Sequence, residues 1–122
     1  MAEAYIVEAL RTAGGRRNGK LAGWHPADMT GEMLNAIVDR TKLDPAAIDD
    51  VIVGCVSQAG EQAFAFARNA VLASRLPTSV PAVTIDRQCK ENRQSRFDQS
   101  ENAGRSLVFL YLLSSGIAAS TL

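Results

Sequence analysis

This 122-residue chain contains two cysteines and one histidine, residue types that often carry out nucleophilic chemistry. Cys89 comes shortly after residues 83–85, a β-branched segment typical of a strand. A cysteine between a buried strand and a following helix can have its thiolate stabilised by backbone amides, which makes it a nucleophile. The spacing alone leaves a second interpretation open, in which Cys89 is a buried apolar residue.

Cys55 and His25 carry weaker signals. Cys55 lies in the apolar run 51–56, so we predict that it belongs to the hydrophobic core. His25 precedes Pro26 in a loop, and nothing in the spacing brings it near Cys89, so we predict a loop residue without a catalytic role. The two cysteines lack CxxC spacing and share one histidine, which argues against a zinc site.

The glycine-rich segment 14–23 is a further candidate binding element. It contains four glycines, together with Arg16, Arg17 and Lys20. Backbone N–H groups of such a loop can hold phosphates. The segment matches neither GxGxxG nor GxxxxGK[ST], so a flexible basic loop is the simpler interpretation.

The elements that must position these residues alternate between strand and helix. Apolar runs predict strands at residues 5–10, 51–56 and 83–85. Apolar residues at four-residue intervals predict a helix over residues 29–41 with Asp28 as its N-cap, and a second helix over about 63–74. This β-α-β-α-β order predicts an α/β fold with a mostly parallel sheet and right-handed crossovers. In such sheets chemistry lies beyond the carboxyl ends of the strands, where Cys89 falls.

The chain changes character after Cys89, which divides it into residues 1–89 and 90–122. Residues 90–105 are polar without a helical or strand period, and residues 107–113 are apolar on every face. That run of seven residues is far shorter than the roughly 20 needed for a membrane helix. It is an aggregation hazard unless another surface covers it.

The composition limits the class of protein. Thirteen basic residues balance thirteen acidic ones, which argues against a nucleic-acid binder or a protein of anionic membranes. Two cysteines are too few for a disulfide-rich secreted scaffold. The N-terminus has no signal-peptide pattern, so we expect a cytoplasmic protein.

Four ordered blocks in residues 4–89 resemble the N-terminal part of the thiolases, the acetyl-CoA acyltransferases. The blocks are EALRT at 8–12 with the Gly/Arg loop after it, DDVIVG at 49–54, GEQ at 60–62 with ARNA at 67–70, and TIDRQC at 84–89. The resemblance is to the degradative thiolases, which act on 3-ketoacyl-CoA in fatty-acid β-oxidation. It implies a thiolase-like β-α-β-α-β half-domain that is incomplete.

The resemblance also implies a reaction. Cys89 would attack the keto carbon of a 3-ketoacyl-CoA, release acetyl-CoA and hold the remaining acyl group as a thioester until a second CoA removes it. CoA thioesters would be substrates, and no cofactor is implied. The family associates as oligomers, so a homo-oligomer or association with a full-length thiolase is expected.

The sequence also departs from the family pattern. Ala13 stands where the family usually has Pro, Ala65 where Asn is common, and Asp86 where Asn is expected. Directly after Cys89, KENR replaces a Gly-Ser-Gly-like turn and an Ala-rich helix. The family's activating histidine, second cysteine and CoA-binding loop domain have no counterpart in these 122 residues. We therefore expect the chain to be inactive alone; the alternatives are an interaction module that docks on a full-length thiolase and a translated pseudogene product.

Overall fold

The computed structural model describes residues 6–86 and the backbone of residues 107–111. These residues form α1 (Pro26–Thr41), β1 (Asp50–Gly54), α2 (Phe66–Ala73), β2 (Ala82–Ile85) and β3 (Leu107–Tyr111), with 3-10 turns at Pro45–Ala47 and Gly60–Gln62. All strand pairs among them are parallel, in the order β2-β1-β3. The predicted α/β class is confirmed.

Helix α1 confirms the helix predicted from four-residue apolar spacing, but its start was predicted wrongly. His25 and not Asp28 is the N-cap, because the Nδ1 atom of His25 accepts the N–H of Ala27 at 3.2 Å. Pro26 takes the first helical position, where its fixed φ suits the helix and its missing N–H costs nothing. Asp28 lies in the first turn, where its charge complements the helix dipole.

Strand β1 and the two helices share one hydrophobic core. Val51 and Val53 are fully buried and belong to the same cluster as Leu34 of α1 and Phe66 and Val71 of α2. Alternate residues of a strand point to the same face, so this face of β1 is the one that the helices cover. Burial of each valine contributes about 2 kcal/mol.

The opposite face of the sheet is less well covered. Ile52 pairs in register with Val83 of β2, and both lie on the face away from the helices. The side chain of Ile52 is buried, whereas Val83 is 44% exposed. Two-sided cover, which parallel sheets normally require, is therefore incomplete at β2.

Helices α1 and α2 pack closely where α2 ends. A Cβ atom on Gly31 would lie 3.1 Å from the carbonyl carbon and oxygen of Ala73, so a glycine permits this approach. One turn further along α1, Asn35 accepts the backbone N–H of Arg75 through Oδ1 at 2.8 Å. The Arg75 guanidinium also pairs with Asp39 at 2.6 Å. These contacts fix the segment that leads from α2 towards β2.

The second helix is shorter than predicted, and the backbone before it gives the reason. Helix α2 begins at Phe66 rather than near residue 63. Phe64 and Ala65 both have positive φ values, 51° and 48°, which a right-handed helix does not contain. Ala67, Ala70 and Val71 form the face of α2 that is buried.

The expected first strand is not formed. Residues 6–10 lie outside any strand, and Ile6 and Val7 are 82% and 75% exposed. Strand β3 instead pairs with β1 along its whole length. The physical reason is that an edge of β1 accepts one strand, and residues 107–111, which are all apolar, occupy it, whereas Glu8 interrupts residues 6–10. The polar segment 90–105 lies outside the described residues.

Candidate active site

The candidate site lies at the carboxyl edge of the sheet, where β1 and β2 end side by side. Gly54, the last residue of β1, pairs with Ile85, the last residue of β2. The N–H of Cys55 then donates to the carbonyl oxygen of Ile85 at 2.9 Å. This hydrogen bond fixes the two strand ends relative to each other, at the edge where α/β sheets commonly bind ligands.

Cys55 lies at this edge, and the structure confirms that it is a core residue. It is 2% exposed and belongs to the main hydrophobic cluster. Its thiol donates to the side-chain oxygen Oε1 of Gln62 at 3.1 Å, and the carbonyl oxygen of Ser57 lies 3.7 Å from the sulfur. The loop after β1 therefore folds back over the thiol and separates it from solvent.

The sequence did not signal the contact between Cys55 and Gln62. Gln62 is seven positions after Cys55, the segment between them is neither helix nor strand apart from a short turn, and the contact depends on that 3-10 turn, Gly60–Gln62. A buried cysteine followed by a polar amide in a short loop is too common a pattern to predict a hydrogen bond.

Cys89, the predicted nucleophile, lies outside the described residues. The last described residue before it is Asp86, which is exposed directly after β2. Cys89 is four residues beyond Ile85, so an extended chain brings it no further than about 14 Å from the strand end. Its nucleophilic role stays a prediction.

His25 is committed to capping α1. The ring is exposed, and Nδ1 accepts the N–H of Ala27. In the neutral ring the proton then resides on Nε2, so neither nitrogen offers a free lone pair. In this geometry His25 cannot accept a proton from a thiol without giving up the helix cap.

The glycine-rich segment forms short turns on the surface. The N–H of Gly19 donates to the carbonyl oxygen of Arg16 at 2.9 Å, and the N–H of Ala22 donates to that of Gly19 at 3.0 Å. Arg16, Arg17 and Lys20 are exposed. The arrangement fits a solvated basic loop, and the backbone N–H groups used in these turns are not available to a phosphate.

The start of α2 contains two features that the sequence pattern does not predict. The N-cap, Ala65, is in the left-handed region and supplies no side-chain hydrogen bond. The N–H of Ala67 is instead satisfied by Thr84 of β2, whose Oγ1 accepts it at 2.9 Å. The one available signal was that Ala65 stands where the family commonly has Asn, a residue that tolerates positive φ.

No helix in residues 6–86 is long and apolar enough to cross a membrane. The cytoplasmic location expected from the sequence stays a prediction.

Comparison with known proteins assigns the family. The sequence pattern described as "Thiolase, N-terminal domain" matches residues 4–98, which include Cys89. The division of the chain at residue 89 is not tested by this match and stays a prediction.

Individual relatives agree with the family match. The steroid 3-ketoacyl-CoA thiolase FadA6 of Mycobacterium tuberculosis is 50% identical over 95 residues, covering 78% of this chain and 23% of that protein. A 3-ketoacyl-CoA thiolase of Pseudoalteromonas translucida is 41% identical over 95 residues, covering 76% of this chain and 24% of its own length. A 3-ketoacyl-CoA thiolase of Serratia proteamaculans is 41% identical over 100 residues, covering 80% of this chain and 26% of that protein.

The chain thus spans about a quarter of the length of the curated relatives that it matches. The match extends over most of the chain and contains both helices and the first two strands of the described fold. The chain therefore belongs to the thiolase family, and it corresponds to the N-terminal domain of that family.

Proposed function

We propose that this chain carries the acyl-accepting cysteine of a thiolase, with Cys89 as the nucleophile and a 3-ketoacyl-CoA as the substrate. The observation that carries the proposal is the family match over residues 4–98, which contains Cys89. The relatives named above are 3-ketoacyl-CoA thiolases, which supports this substrate class. The reaction is the acyl-shortening step of a degradative pathway such as fatty-acid β-oxidation.

The proposed chemistry has two steps. The Cys89 thiol loses its proton, and its sulfur bonds to the keto carbon of the substrate; the adjacent carbon–carbon bond breaks. The released carbon takes a proton to give acetyl-CoA, and the acyl group remains on Cys89 as a thioester. The thiol of a second CoA attacks that carbonyl, and the Cys89 sulfur leaves with a proton.

The structure supports the assignment of this role to Cys89 rather than Cys55. Both cysteines follow strands that end at the same edge of the sheet. Cys55, however, is 2% exposed and its thiol is hydrogen-bonded to Gln62. A CoA thioester cannot reach its sulfur without displacement of the loop that covers it.

We further propose that the chain of 122 residues does not turn over by itself. Repeated turnover at a measurable rate needs a group that accepts the thiol proton and donors that stabilise the oxyanion, whereas one slow acylation of Cys89 can release that proton to water. The single histidine of the chain, His25, uses Nδ1 to cap α1. Cys55, the only other thiol, is buried and cannot exchange protons with a bound substrate.

A single-turnover acylation experiment tests the role of Cys89. The full chain is incubated with acetoacetyl-CoA, and intact mass and peptide mapping locate the acyl adduct. We expect an adduct on Cys89 that persists in Cys55→Ala and disappears in Cys89→Ala. Absence of an adduct, or equal labelling of both cysteines, would overturn the assignment.

A steady-state assay tests the absence of turnover. Acetoacetyl-CoA and excess CoA are added to the full chain, and loss of the substrate is followed over many equivalents of protein. We expect no loss beyond one equivalent. Continuous turnover that Cys89→Ala abolishes would show that the chain contains a complete site.

Association with a second thiolase chain is the other candidate function, and one observation favours it. Val83 is 44% exposed on the sheet face that the helices leave open, beside buried Ile52. A partner chain that covers this face would complete the two-sided cover that parallel sheets require. Co-elution with a full-length thiolase, weakened by Val83→Lys, is the expected result; equal elution of both variants contradicts it.

A further inference from the structure

Both edges of β1 are occupied. Strand β2 pairs with one edge from Val51↔Ala82 to Gly54↔Ile85. Strand β3 pairs with the other from Asp50↔Leu107 to Gly54↔Tyr111. A further strand therefore cannot pair with β1 unless one of these two leaves.

The right-handedness of parallel crossovers favours a different segment of the chain at the position that β3 occupies. The crossover from β1 through α2 to β2 covers the Val51 and Val53 face of the sheet, and α1 packs beside α2 in the same core. Parallel crossovers are almost always right-handed. A strand that leads into α1 on this face must therefore precede β1 on the edge away from β2. That edge is where β3 lies.

The segment that leads into α1 has the properties of a strand but no strand partner in the structure. Residues 6–10 were predicted to be strand from their apolar residues, yet Ile6 and Val7 are 82% and 75% exposed. Glu8 forms an ion pair with Arg40 in the last turn of α1, with Oε2 3.3 Å from Nε. The segment is thus held near the end of α1 from which the chain proceeds to β1.

We propose that residues 6–10 and residues 107–111 are alternative occupants of one position, the edge of β1 away from β2. In the arrangement described here residues 107–111 hold the position and residues 6–10 are displaced. When residues 107–111 leave, residues 6–10 pair with β1 in parallel and cover Ile6 and Val7. The chain therefore has a built-in strand exchange that decides whether its N-terminal segment joins the sheet.

Hydrogen exchange of the full chain, read by mass spectrometry of peptides covering residues 6–10, 50–54 and 107–111, tests the exchange. Two proline variants, Val108→Pro and Phe109→Pro, form a matched pair. Successive N–H groups of a strand point to opposite edges, so one variant removes a hydrogen bond to β1 and the other alters the outer edge. Phe109→Gly keeps every N–H group and weakens the strand more gently.

The expected result is a transfer of protection. In one proline variant residues 107–111 lose at least about tenfold in protection, residues 6–10 gain it, and residues 50–54 stay protected. The other proline variant behaves like the unaltered chain, and Phe109→Gly shifts protection in the same direction to a smaller extent. Val7→Pro alone leaves the protection of residues 50–54 unchanged. Combined with the proline variant that removes the hydrogen bond to β1, it lowers the protection of residues 50–54.

Three results would overturn the proposal. The first is loss of protection at residues 107–111 with no gain at residues 6–10. The second is complete unfolding of the effective proline variant together with a Phe109→Gly variant in which residues 6–10 gain nothing. The third is a Val7→Pro substitution that lowers the protection of residues 50–54 equally in the unaltered chain and in the effective proline variant. The readout involves no acyl transfer, so it is independent of the role proposed for Cys89.

Discussion

Replacement of Ala65 by glycine should stabilise the fold, although it removes a methyl group from a helix N-cap. Ala65 has φ 48° and ψ 47°, the left-handed conformation in which an L-residue loses about 1–2 kcal/mol. Glycine adopts this conformation freely but costs about 0.5–1 kcal/mol in chain entropy. The Ala65 side chain is exposed, so no burial is lost. The net expectation for Ala65→Gly is a gain of about 1 kcal/mol.

The matched control is Ala59→Gly. Ala59 is also an exposed N-cap, of the turn Gly60–Gln62, but its φ of −134° and ψ of 156° are ordinary extended values. Glycine there should be neutral or destabilising, because the entropy cost has no strain relief to offset it. Ala65→Asn should lie between the two glycine variants, since Asn tolerates positive φ better than Ala.

Urea unfolding followed by far-ultraviolet circular dichroism measures the difference. With a slope of about 2 kcal/mol/M, the midpoint of Ala65→Gly should rise by about 0.5 M, while that of Ala59→Gly stays or falls. Equal midpoints for the two variants would refute the reasoning, because they would show that the positive φ of Ala65 costs nothing.

Two further substitutions test the contact between the helices. Gly31→Ala should lower the free energy of unfolding by about 1 kcal/mol, because the new methyl group meets backbone atoms 3.1 Å away, while Gly23→Ala in open space should change it by less than about 0.5 kcal/mol. Asn35→Ala should cost about 1–3 kcal/mol, since it leaves the N–H of Arg75 without its acceptor, whereas Asp39→Ala should cost less than about 1 kcal/mol because that ion pair is exposed. The urea midpoints of the four variants measure these losses of stability. Equal losses for Gly31→Ala and Gly23→Ala would contradict the argument about close packing. Equal losses for Asn35→Ala and Asp39→Ala would contradict the argument about the part-buried hydrogen bond.

The helices and the first two strands of the described fold could be predicted because their signals are local. The four-residue apolar spacing of α1 and the β-branched run of β1 each specify an element without reference to the rest of the chain. The ends of the helices and strands were predicted less accurately. The start of α2 depends on two residues with positive φ, 64 and 65, and neither is a glycine.

Strand pairing could not be predicted, because it depends on competition between distant segments. Residues 6–10 and residues 107–111 both have apolar character that suits a strand. Hydrophobic patterning indicates that each can pair, but it does not state which one has the lower free energy at the edge of β1. The handedness of the crossovers would favour the first segment, and the structure has the second.

At the candidate site the sequence predicts the environment of one of the two cysteines correctly, and the structure gives the physical reason. Cys55 was predicted to be core and is buried, but its hydrogen bond to Gln62 depends on a loop conformation that no spacing rule contains. Cys89 was singled out because it follows a strand, and this argument depends on which edge of the sheet the strand ends reach. The pairing of Gly54 with Ile85 defines that edge.

Cys55 lies at this edge beneath a loop, and access to its sulfur decides whether that thiol can react. Acyl transfer requires the substrate carbonyl to come within bonding distance of a sulfur, and the loop over Cys55 prevents that approach in the folded chain. Gln62→Ala removes the acceptor of the Cys55 thiol and part of this cover. If cover rather than intrinsic chemistry protects Cys55, Gln62→Ala should speed its alkylation by iodoacetamide without changing the rate at Cys89. Equal rates at Cys55 before and after the substitution would show that the protection comes from the strand and helix packing beneath it.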